Sequence, residues 1–435
     1  MTSNCTEAFV WIWLPAATEP VVAGKLTAEG GRLIFNYGKS YLARENAISV
    51  YHPELPLRSG ALPLPNGMDM PSCIRDASPD AWGRRVLINK KLGLKGAKVN
   101  SAQLDELTYL LESGSDRIGA LDFQHSPTEY EPRIAVNATL EELLQSAERV
   151  EHGVLLTPEL DQALHHGSSI GGARPKALIE DGDKKYIAKF SSSTDLYSVV
   201  KAEYIAMRLA ALAGLDVASV ALTKSSQKDV LLIERFDRIH TDAGWQRKAM
   251  VSSLTLFALD EMMARYASYE EFAEIIRYRF VDATMTLKEL FSRLVFNILS
   301  GNTDDHARNH AAFWDGVMLK LTPAYDICPQ GRTGNEASQA MLISGDNRMS
   351  RIAACLDTAS HFLLSRSEAI AMIKEQLTCM VENWKVVCDE AELSETDRKL
   401  LWGRQFLNPY AFEDLTDDAQ DLKDTAEQGR YYHAI

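Results

Sequence analysis

Three polar side chains in the C-terminal half of the chain have the types and spacing of a phosphotransfer site. Asp304 and Asn309 are five residues apart, and Asp326 follows an apolar stretch that turns at Asp315-Gly316. In protein kinases an Asp orients the attacking hydroxyl, an Asn five residues later holds one magnesium ion, and an Asp beyond a short hairpin holds the metal that bridges the ATP phosphates. The DG step between AAFW and VMLKL is typical of such a hairpin. The pattern therefore predicts phosphoryl transfer from ATP.

Two other interpretations fit the same stretch. Asp, Asn, Thr and His form turns readily, so NTDDHARN could be only a polar loop. A metal-dependent phosphoesterase could use Asp304, Asp305 and His306 as ligands, although three adjacent residues rarely all face one ion. The presence or absence of the other parts of an ATP site decides between these interpretations.

A glycine- and serine-rich segment, GSSIGGA from Gly167 to Ala173, is a candidate phosphate loop. Small residues let backbone N-H groups approach an anion closely. The segment matches neither a Walker A loop nor GxGxxG, and a flexible surface turn fits it equally well. The strands KALIE and KYIAKF, joined by a DGD turn, are predicted to follow and to carry Lys189.

Lys189 lies inside an apolar predicted strand, so its charge needs a partner. In a kinase this lysine contacts the α and β phosphates and is steadied by a helix Glu, for which Glu203 is the candidate. The alternatives are that Lys189 snorkels to solvent and that Glu203 is a favourable charge near a helix N-terminus.

The hairpin ALTKSSQKDVLLIERF is predicted next, and its second strand ends at Asp237. An adenine-binding hinge belongs at this point of a kinase, and an acid directly after it could accept hydrogen bonds from the ribose hydroxyls. Alternatively, Glu234 and Asp237 pair with Arg235 and Arg238 at the surface.

The composition indicates a soluble globular protein. The 435 residues are 46% hydrophobic and 24% charged, which predicts two or three packed units. A net charge of -14 disfavours broad attraction to nucleic acid or anionic membranes. The six cysteines lack metal-binding spacing, so reduced thiols in a cytoplasm are expected. No basic residue precedes the apolar start, which predicts an opening strand rather than a signal peptide, and no apolar stretch of about 18 residues could span a bilayer.

The hydrophobic patterns divide the chain into β-rich and helical regions. The segments VWIWL, VVAGKLT, GRLIFNY and AISVY predict a small antiparallel β unit, and GALDF a further strand. The predicted helices are one beginning near Ser78-Pro79, those over Gln103 to Glu112 and Leu140 to Val150, VVKAEYIAMRLAALAGL, LTLFALDEMMARY, YEEFAEIIRYRF, LKELFSRLVFNILSG, and further helices across Met349 to Phe406. The acidic C-terminal segment is predicted to be frayed.

Five motifs, SSIGGARPK, YIAKF, IERFDR, NTDDHARN and PAYDICP, occur in the order and at the spacings of the HipA family. SPDAWGRR also resembles the N-terminal part of that family, so the resemblance covers nearly the whole chain. HipA proteins are bacterial serine/threonine kinases and the toxin halves of toxin-antitoxin pairs. The resemblance implies an α+β, bilobed protein-kinase-like fold. Its expected parts are an N-terminal β subdomain with helices at 1-150, an ATP-binding lobe at 151-245 and a mainly α-helical catalytic lobe at 246-435.

The resemblance also implies roles for individual residues. Asp304 matches the family's catalytic Asp, and Asn309 and Asp326 match its magnesium ligands. Ser169 matches the loop serine that members autophosphorylate to switch the kinase off, although its neighbour Ser168 makes that assignment ambiguous. The residues implied to bind ATP are Ser169, Ile170, Gly171, Gly172 and Ala173 in the loop, Lys189 at the phosphates, Glu234 and Phe236 in the hinge, Asp237 at the ribose, and His306, Asn309, Tyr325 and Asp326 around the catalytic centre.

The expected cofactors are ATP and Mg²⁺, and the expected location is the cytoplasm. The family's usual partner is the small helix-turn-helix antitoxin HipB, which binds operator DNA, and its known target class is aminoacyl-tRNA synthetases. The acidity of this chain fits an assembly in which the antitoxin supplies most of the DNA contact. Two other functions remain open: a catalytically weak corepressor or scaffold with an antitoxin, and a small-molecule kinase that uses the same Asp/Asn/Asp chemistry.

Overall fold

The computed structural model describes residues 5-65, 67-92, 104-134, 138-152, 154, 174-192 and 195-434. These residues form a mixture of helices and several sheets, which confirms the predicted α+β class. The chain divides into two compact units. Unit 1 comprises 1-193, 223-251 and 313-317, and unit 2 comprises 194-222, 252-312 and 318-435. These limits differ from the predicted boundaries after 150 and 245, because the chain enters each unit more than once.

Unit 1 begins with an antiparallel sheet in the order β3-β2-β1-β4. Its strands are β1 Glu7–Ile12, β2 Val21–Glu29, β3 Arg32–Tyr37 and β4 Leu121–Gln124. The sequence predicted these strands, but it wrongly predicted a strand at AISVY, residues 47-51. The backbone there is bonded to side chains instead of a neighbouring strand: the Val50 N-H donates to the Tyr37 hydroxyl at 2.9 Å, and the Tyr41 hydroxyl donates to the Ile48 carbonyl at 2.7 Å.

Unit 1 contains the helices α1 Lys39–Leu42, α2 Ser72–Arg75, α3 Ala81–Leu92, α4 Glu106–Glu112 and α5 Leu140–Glu151. α1 and α4 contact the first sheet, whereas α3 and α5 pack against a second sheet. α5 begins with a capping box in which the Thr139 hydroxyl accepts from the Glu142 N-H while the Glu142 carboxylate accepts from the Thr139 N-H. Trp82 of α3 and Leu143 and Leu144 of α5 share a buried core with the second sheet. This core supports the strand that carries Lys189.

The second sheet has the order β5-β6-β8-β7. Its strands are β5 Lys176–Asp181, β6 Lys184–Phe190, β7 Val220–Ser225 and β8 Lys228–Glu234. Both predicted hairpins are confirmed. Gly182 takes φ +61° in the first turn, and Ser226 and Gln227 take φ +46° and +66° in the second, as a tight hairpin turn requires.

Two further pieces of β structure follow, a hairpin and a small sheet. β9 Arg238–Thr241 and β10 Gly244–Arg247 form a hairpin, while β11 Met250–Ser252, β12 Ala311–Trp314 and β13 Leu319–Leu321 form a sheet in that order. The chain passes between the two units at 251/252 and 312/313. The predicted strands on either side of the DG step are therefore confirmed as β12 and β13.

Unit 2 is mainly helical. Its helices are α6 Val199–Leu212, α7 Ser253–Leu256, α8 Tyr269–Arg279, α9 Ala283–Ser300, α10 Ile352–Thr358, α11 Arg366–Glu390, α12 Glu395–Leu401 and α13 Gln420–Ala434, with 3-10 turns at Ala264–Tyr266, Ala359–Phe362, Pro409–Phe412 and Asp417–Ala419. The C-terminal half of α9 is buried and ends at Gly301. Gly301 has φ +71°, and an added Cβ would lie 2.5 Å from the Gln405 carbonyl oxygen. Only glycine therefore fits where α9 enters the predicted catalytic loop.

Two predictions for unit 2 are wrong. LTLFALDEMMARY is not one helix: α7 ends at Leu256, Ala258 takes φ +53°, and the Asp260 carboxylate accepts from the Met263 N-H at 2.8 Å, a local bond that competes with helix. The acidic C-terminal segment is not frayed. It forms α13, which packs on α11 with Leu422 and Ala426 fully buried.

No helix in the described ranges has both the length and the apolar character needed to cross a bilayer.

Candidate active site

The loop that follows α9, residues 302-310, places Asp304 and Asp305 in opposite environments. The side chain of Asp304 is exposed, whereas Asp305 is only 2% exposed. The Asp305 carboxylate accepts a hydrogen bond from the Tyr269 hydroxyl, and its other oxygen lies 2.9 Å from His310 Nε2. Because Asp305 is directed into the protein, it cannot share an ion with Asp304 and His306. The phosphoesterase interpretation is therefore wrong, and no group of three His, Cys, Asp or Glu residues within the described part of the chain could hold a metal ion.

Asp305 belongs to a buried polar network that supports the loop from below. Burial alone would raise the pKa of Asp305, but the charge of His310 and the hydrogen bonds from His310 and Tyr269 outweigh it and keep the pKa below its ordinary value. Burial and the nearby Asp305 raise the pKa of Tyr269, so its proton stays in place to be donated. Asn297 of α9 extends the network, donating to the Tyr269 hydroxyl at 3.4 Å and accepting from the Asn302 amide at 3.0 Å.

The other side of the loop is held by α7 and the segment after it. The Ser253 N-H donates to the His310 carbonyl at 2.8 Å, and the Leu254 N-H donates to the Ala307 carbonyl at 3.1 Å. Arg308 forms an ion pair with Glu261, with Nε 2.8 Å from the carboxylate. These contacts fix both sides of the loop, so Asp304 projects from a rigid support.

Asn309 and Asp326 lie beside Asp304, as the spacing predicted. The Asn309 amide nitrogen donates to the Asp304 carbonyl oxygen at 3.2 Å, which fixes the orientation of the amide group. Partial desolvation raises the pKa of Asp304; the charges of Asp326 and Asp305 raise it further, and His306 opposes them. Two carboxylates that repel each other, with an amide oxygen beside them, form a hard oxygen donor set that suits Mg²⁺. Asp326 and Asn309 therefore fit the role of metal ligands.

The segment before Asp326 is tied to the rest of unit 2. The Ala324 N-H donates to the Asp216 carbonyl at 2.7 Å, and the Tyr325 hydroxyl donates to the Arg308 carbonyl at 2.8 Å. Asp326 itself takes φ +60°, a left-handed conformation that costs energy for any residue except glycine but is least unusual for Asp and Asn. Strained backbone of this kind is frequent at functional sites.

Lys189 lies in unit 1 on β6, opposite Lys176 of β5 and Leu231 of β8. Only 8% of Lys189 is exposed, so the alternative in which it snorkels to solvent is wrong. Glu203, in unit 2, is 2% exposed and lies beyond the first turn of α6, so the alternative of a charge at the helix N-terminus is also wrong.

The predicted hinge, also in unit 1, differs from the surface ion pairs that the sequence allowed. Glu234 pairs with Lys184 at 2.7 Å, but Asp237 is 2% exposed and accepts from both Arg235 and Arg238, each at 2.8 Å to Oδ2. Burial would raise the pKa of Asp237, and the two guanidinium groups lower it to about 2. The role of Asp237 at the ribose stays a prediction, and a ribose hydroxyl there would share the carboxylate with two arginines.

Phe236 lies between Arg235 and Asp237 in the sequence. Its side chain is half-buried, and its ring centre lies 5.9 Å from that of Phe313.

The predicted phosphate loop lies outside the described residues. This applies to Ser168, Ser169, Ile170, Gly171, Gly172 and Ala173.

The spacing of the sequence pointed to Asp304, Asn309 and Asp326 but not to the residues that support their loop. Tyr269 and His310, which hold Asp305, and Glu261, which holds Arg308, were not singled out. One available signal was the presence of two Asp and two His residues in NTDDHARNH, since a buried Asp needs a partner and a nearby His can supply one.

Comparison with known proteins finds relatives over part of the chain. The serine/threonine-protein kinase toxin HipA of Shewanella oneidensis is 26% identical over 183 residues, 37% of this chain and 42% of that protein. The Sinorhizobium fredii protein Y4mE is 28% identical over 149 residues, 33% of this chain and 34% of that one. The chain thus spans about a third to a half of the length of these curated relatives.

The fold is also similar to a solved one. A chain in the structure of the Shewanella oneidensis HipA, HipB and operator DNA complex matches with a TM-score of 0.62 and 19% identity, covering 95% of each chain. At that identity the likeness shows the fold. Residues 14-124 match the model of the HipA N-terminal domain, and residues 168-384 match that of the HipA-like C-terminal domain. Because both domains are matched in order and across most of the chain, the protein belongs to the HipA family.

Proposed function

We propose that this chain is an ATP-dependent serine/threonine protein kinase. The observation that carries the proposal is the pair Asp304 and Asp305: one carboxylate is exposed beside Asn309 and Asp326, while the next is locked into the buried network below the loop. Such a loop holds one acid rigidly where a substrate hydroxyl can reach it, and positioning of this kind is most of what phosphoryl transfer needs from the protein.

In the proposed reaction, Asp304 accepts a hydrogen bond from the hydroxyl of a protein serine and orients its oxygen toward the γ-phosphorus. The serine O-P bond forms as the bond between the γ-phosphorus and the ADP oxygen breaks, and the serine proton passes to Asp304 and then to solvent. Asn309 and Asp326 would hold Mg²⁺, and the ion would supply positive charge to the phosphate oxygens.

The rest of the nucleotide is assigned to residues on the second sheet and its loops. Lys189 binds the α and β phosphates, backbone groups from Glu234 to Phe236 pair with adenine, and Asp237 lies toward the ribose. His306 and Tyr325 line the catalytic centre. The phosphate loop is assigned to Ser169, Ile170, Gly171, Gly172 and Ala173, with Ser169 as the site of inhibitory autophosphorylation.

The proposal includes the division into an N-terminal subdomain at 1-150, an ATP-binding lobe at 151-245 and a catalytic lobe at 246-435, and a location in the cytoplasm. The partner is a HipB-like helix-turn-helix antitoxin that contacts operator DNA. This is supported by the fold similarity to a chain of the Shewanella oneidensis complex with HipB and operator DNA. An aminoacyl-tRNA synthetase is the proposed protein substrate.

The test compares the wild type with Asp304→Asn, using Asp346→Asn as a control because Asp346 is exposed in the same unit and outside the site. With γ-labelled ATP and Mg²⁺, Asp304→Asn should lower phosphate transfer to protein about 100-fold or more. It should still show the rise in melting temperature that bound Mg-ATP produces. Transfer by Asp304→Asn at the wild-type rate would remove Asp304 from the reaction. A wild type that is stabilised by Mg-ATP without transferring phosphate would support the scaffold function instead.

A further inference from the structure

The segment between α4 and β4 contacts the hinge directly. Asp116 Oδ1 accepts from Arg235 Nη1 at 3.0 Å and from Arg238 Nη2 at 2.8 Å. Three residues later, the Gly119 N-H donates to Asp237 Oδ2 at 2.8 Å, and the Gly119 carbonyl accepts from Arg238 Nη1 at 2.9 Å. Every hinge residue whose side chain is buried is therefore bonded to this short segment, which we name the 116-119 clamp.

The clamp meets only one side of the hinge. Arg235 and Asp237 are buried and point to the clamp, whereas the intervening Phe236 is half-buried and contacts Phe313. The clamp therefore holds the segment through Arg235 and Asp237, and also through Arg238 directly after it. These hydrogen bonds and ion pairs consequently determine the position of the backbone groups of 234-236.

The clamp itself is fixed to the N-terminal sheet. The guanidinium of Arg117 is fully buried and donates to Asp122 of β4 at 2.9 Å and to the Ala77 carbonyl at 3.0 Å. The Arg117 carbonyl accepts from Arg235 Nη2 at 2.7 Å. Gly119 takes φ +76°, a conformation that glycine adopts without strain and that aims its N-H at Asp237. A rigid segment of the N-terminal part thus carries the hinge.

These bonds join charged groups that are largely out of water, and such bonds are stronger and more directional than neutral ones. The strand β8 ends at Glu234 and β9 begins at Arg238, so residues 235-237 lie between strands and depend on side-chain contacts for their position. Of the backbone bonds described around them, one joins the Arg235 N-H to the Lys185 carbonyl and one joins the Lys248 N-H to the Asp237 carbonyl.

We propose that Asp116 and Gly119 are positioning residues for nucleotide binding, through which the N-terminal sheet sets the affinity of the hinge for adenine. This rests on the proposed kinase function, because it takes 234-236 as the adenine site. It assigns to the clamp a task in binding that is separate from the chemistry at Asp304. Loosening the clamp should weaken adenine binding equally in the ground state and the transition state.

The experiment measures KM for ATP and kcat in the full chain. Asp116→Asn removes the charge that both arginines share, and Arg238→Lys keeps the charge but removes the forked contacts to Asp116 and Gly119. Both variants should raise KM for ATP about tenfold or more and leave kcat within about twofold. The control is Lys185→Gln, because Lys185 Nζ binds the same Asp116 carboxylate at 2.8 Å without touching a hinge side chain, and its KM should stay within about twofold of the wild type.

The outcomes separate this proposal from the kinase proposal. A wild type that neither binds nor uses ATP overturns the proposed function. A wild type with normal activity and clamp variants with unchanged KM overturn only the clamp. A lower kcat at constant KM, in step with the folded fraction, would show a merely structural role and also overturn it.

Hydrogen exchange of the wild type decides the matter if the variants fail to fold. Saturating ATP should slow exchange of amides in 116-119 as well as in 235-238, since the two segments share hydrogen bonds. Protection confined to 235-238 would refute the clamp.

Discussion

Tyr269→Phe removes one oxygen atom from beneath the loop at residues 302-310 and leaves the ring in place. The Tyr269 hydroxyl donates to the Asp305 carboxylate, lies 3.3 Å from His310 Nε2 and accepts from Asn297 at 3.4 Å. The direct contact of 2.9 Å between Asp305 and His310 remains in the variant. The substitution therefore weakens the network without dismantling it.

The expected cost follows from the charge and burial of the partner. A hydrogen bond to an ionised group contributes about 1.5 to 3 kcal/mol, more than a neutral one, and Asp305 is both ionised and 2% exposed. Tyr269 is fully buried, so water cannot replace the lost donor. A loss of about 2 kcal/mol should lower the melting temperature of a unit of this size by roughly 4 to 8 °C. Since Asp305 adjoins Asp304, phosphate transfer should also fall, by about tenfold if the loop shifts by a fraction of an ångström.

The assay is thermal unfolding followed by circular dichroism, with labelled phosphate transfer measured below the transition. Tyr278→Phe is the matched control, because it makes the same change on the same helix, α8, at a side chain that is 81% exposed. It should leave both quantities unchanged. If Tyr269→Phe melts within about 1 °C of Tyr278→Phe, the buried network does not support the loop.

Two further results are expected in unit 1. The lowered pKa of Asp237, about 2, means that its ionised form contributes about 2 kcal/mol of stability above about pH 4 and that this is lost as pH falls toward 2. Denaturant unfolding at a series of pH values should therefore show a steep loss in that range for the wild type and a shallower one for Asp237→Asn, and equal slopes would contradict the ion pairing. Gly316→Ala should destabilise the unit by about 2 to 3 kcal/mol, because Gly316 has φ +103° and a Cβ would lie 2.6 Å from Ile48 Cγ2. Gly331→Ala, with open space around its Cβ position, is the control for that measurement and should be nearly neutral.

Local patterns in the sequence were sufficient for most elements of the fold. Turn residues marked the β5-β6 and β7-β8 hairpins, and apolar spacing marked α6, α8 and α9, because these elements depend on residues that are close in the chain. The errors arose where a side chain replaced a backbone partner, as Tyr37 does for Val50 and Asp260 does for Met263. Nothing in the local pattern shows such a replacement.

The candidate site divides in the same way. Asp304, Asn309 and Asp326 could be singled out as candidates because their spacing is short and their types are specific. Tyr269 lies 36 positions from Asp305, and Asp116 lies 122 positions from Arg238, so neither partner leaves a local trace. From the sequence, Asp237 could be an exposed acid. Its burial depends on contacts with the clamp, which is more than 100 positions away, so the local pattern of IERFDR does not predict it.

Unit 1 is built from three segments that are far apart in the sequence, and this has a consequence for synthesis of the chain. Strand β6 needs β8 as its neighbour, and the Trp314 indole donates to the Ser49 carbonyl at 2.9 Å across 265 positions of sequence. A ribosome that adds about 5 to 20 residues per second takes roughly 15 to 50 s to cover that interval. Until then the nascent N-terminal segment lacks the tryptophan that packs on Tyr51, and its apolar surface is open to chaperones or to other nascent chains.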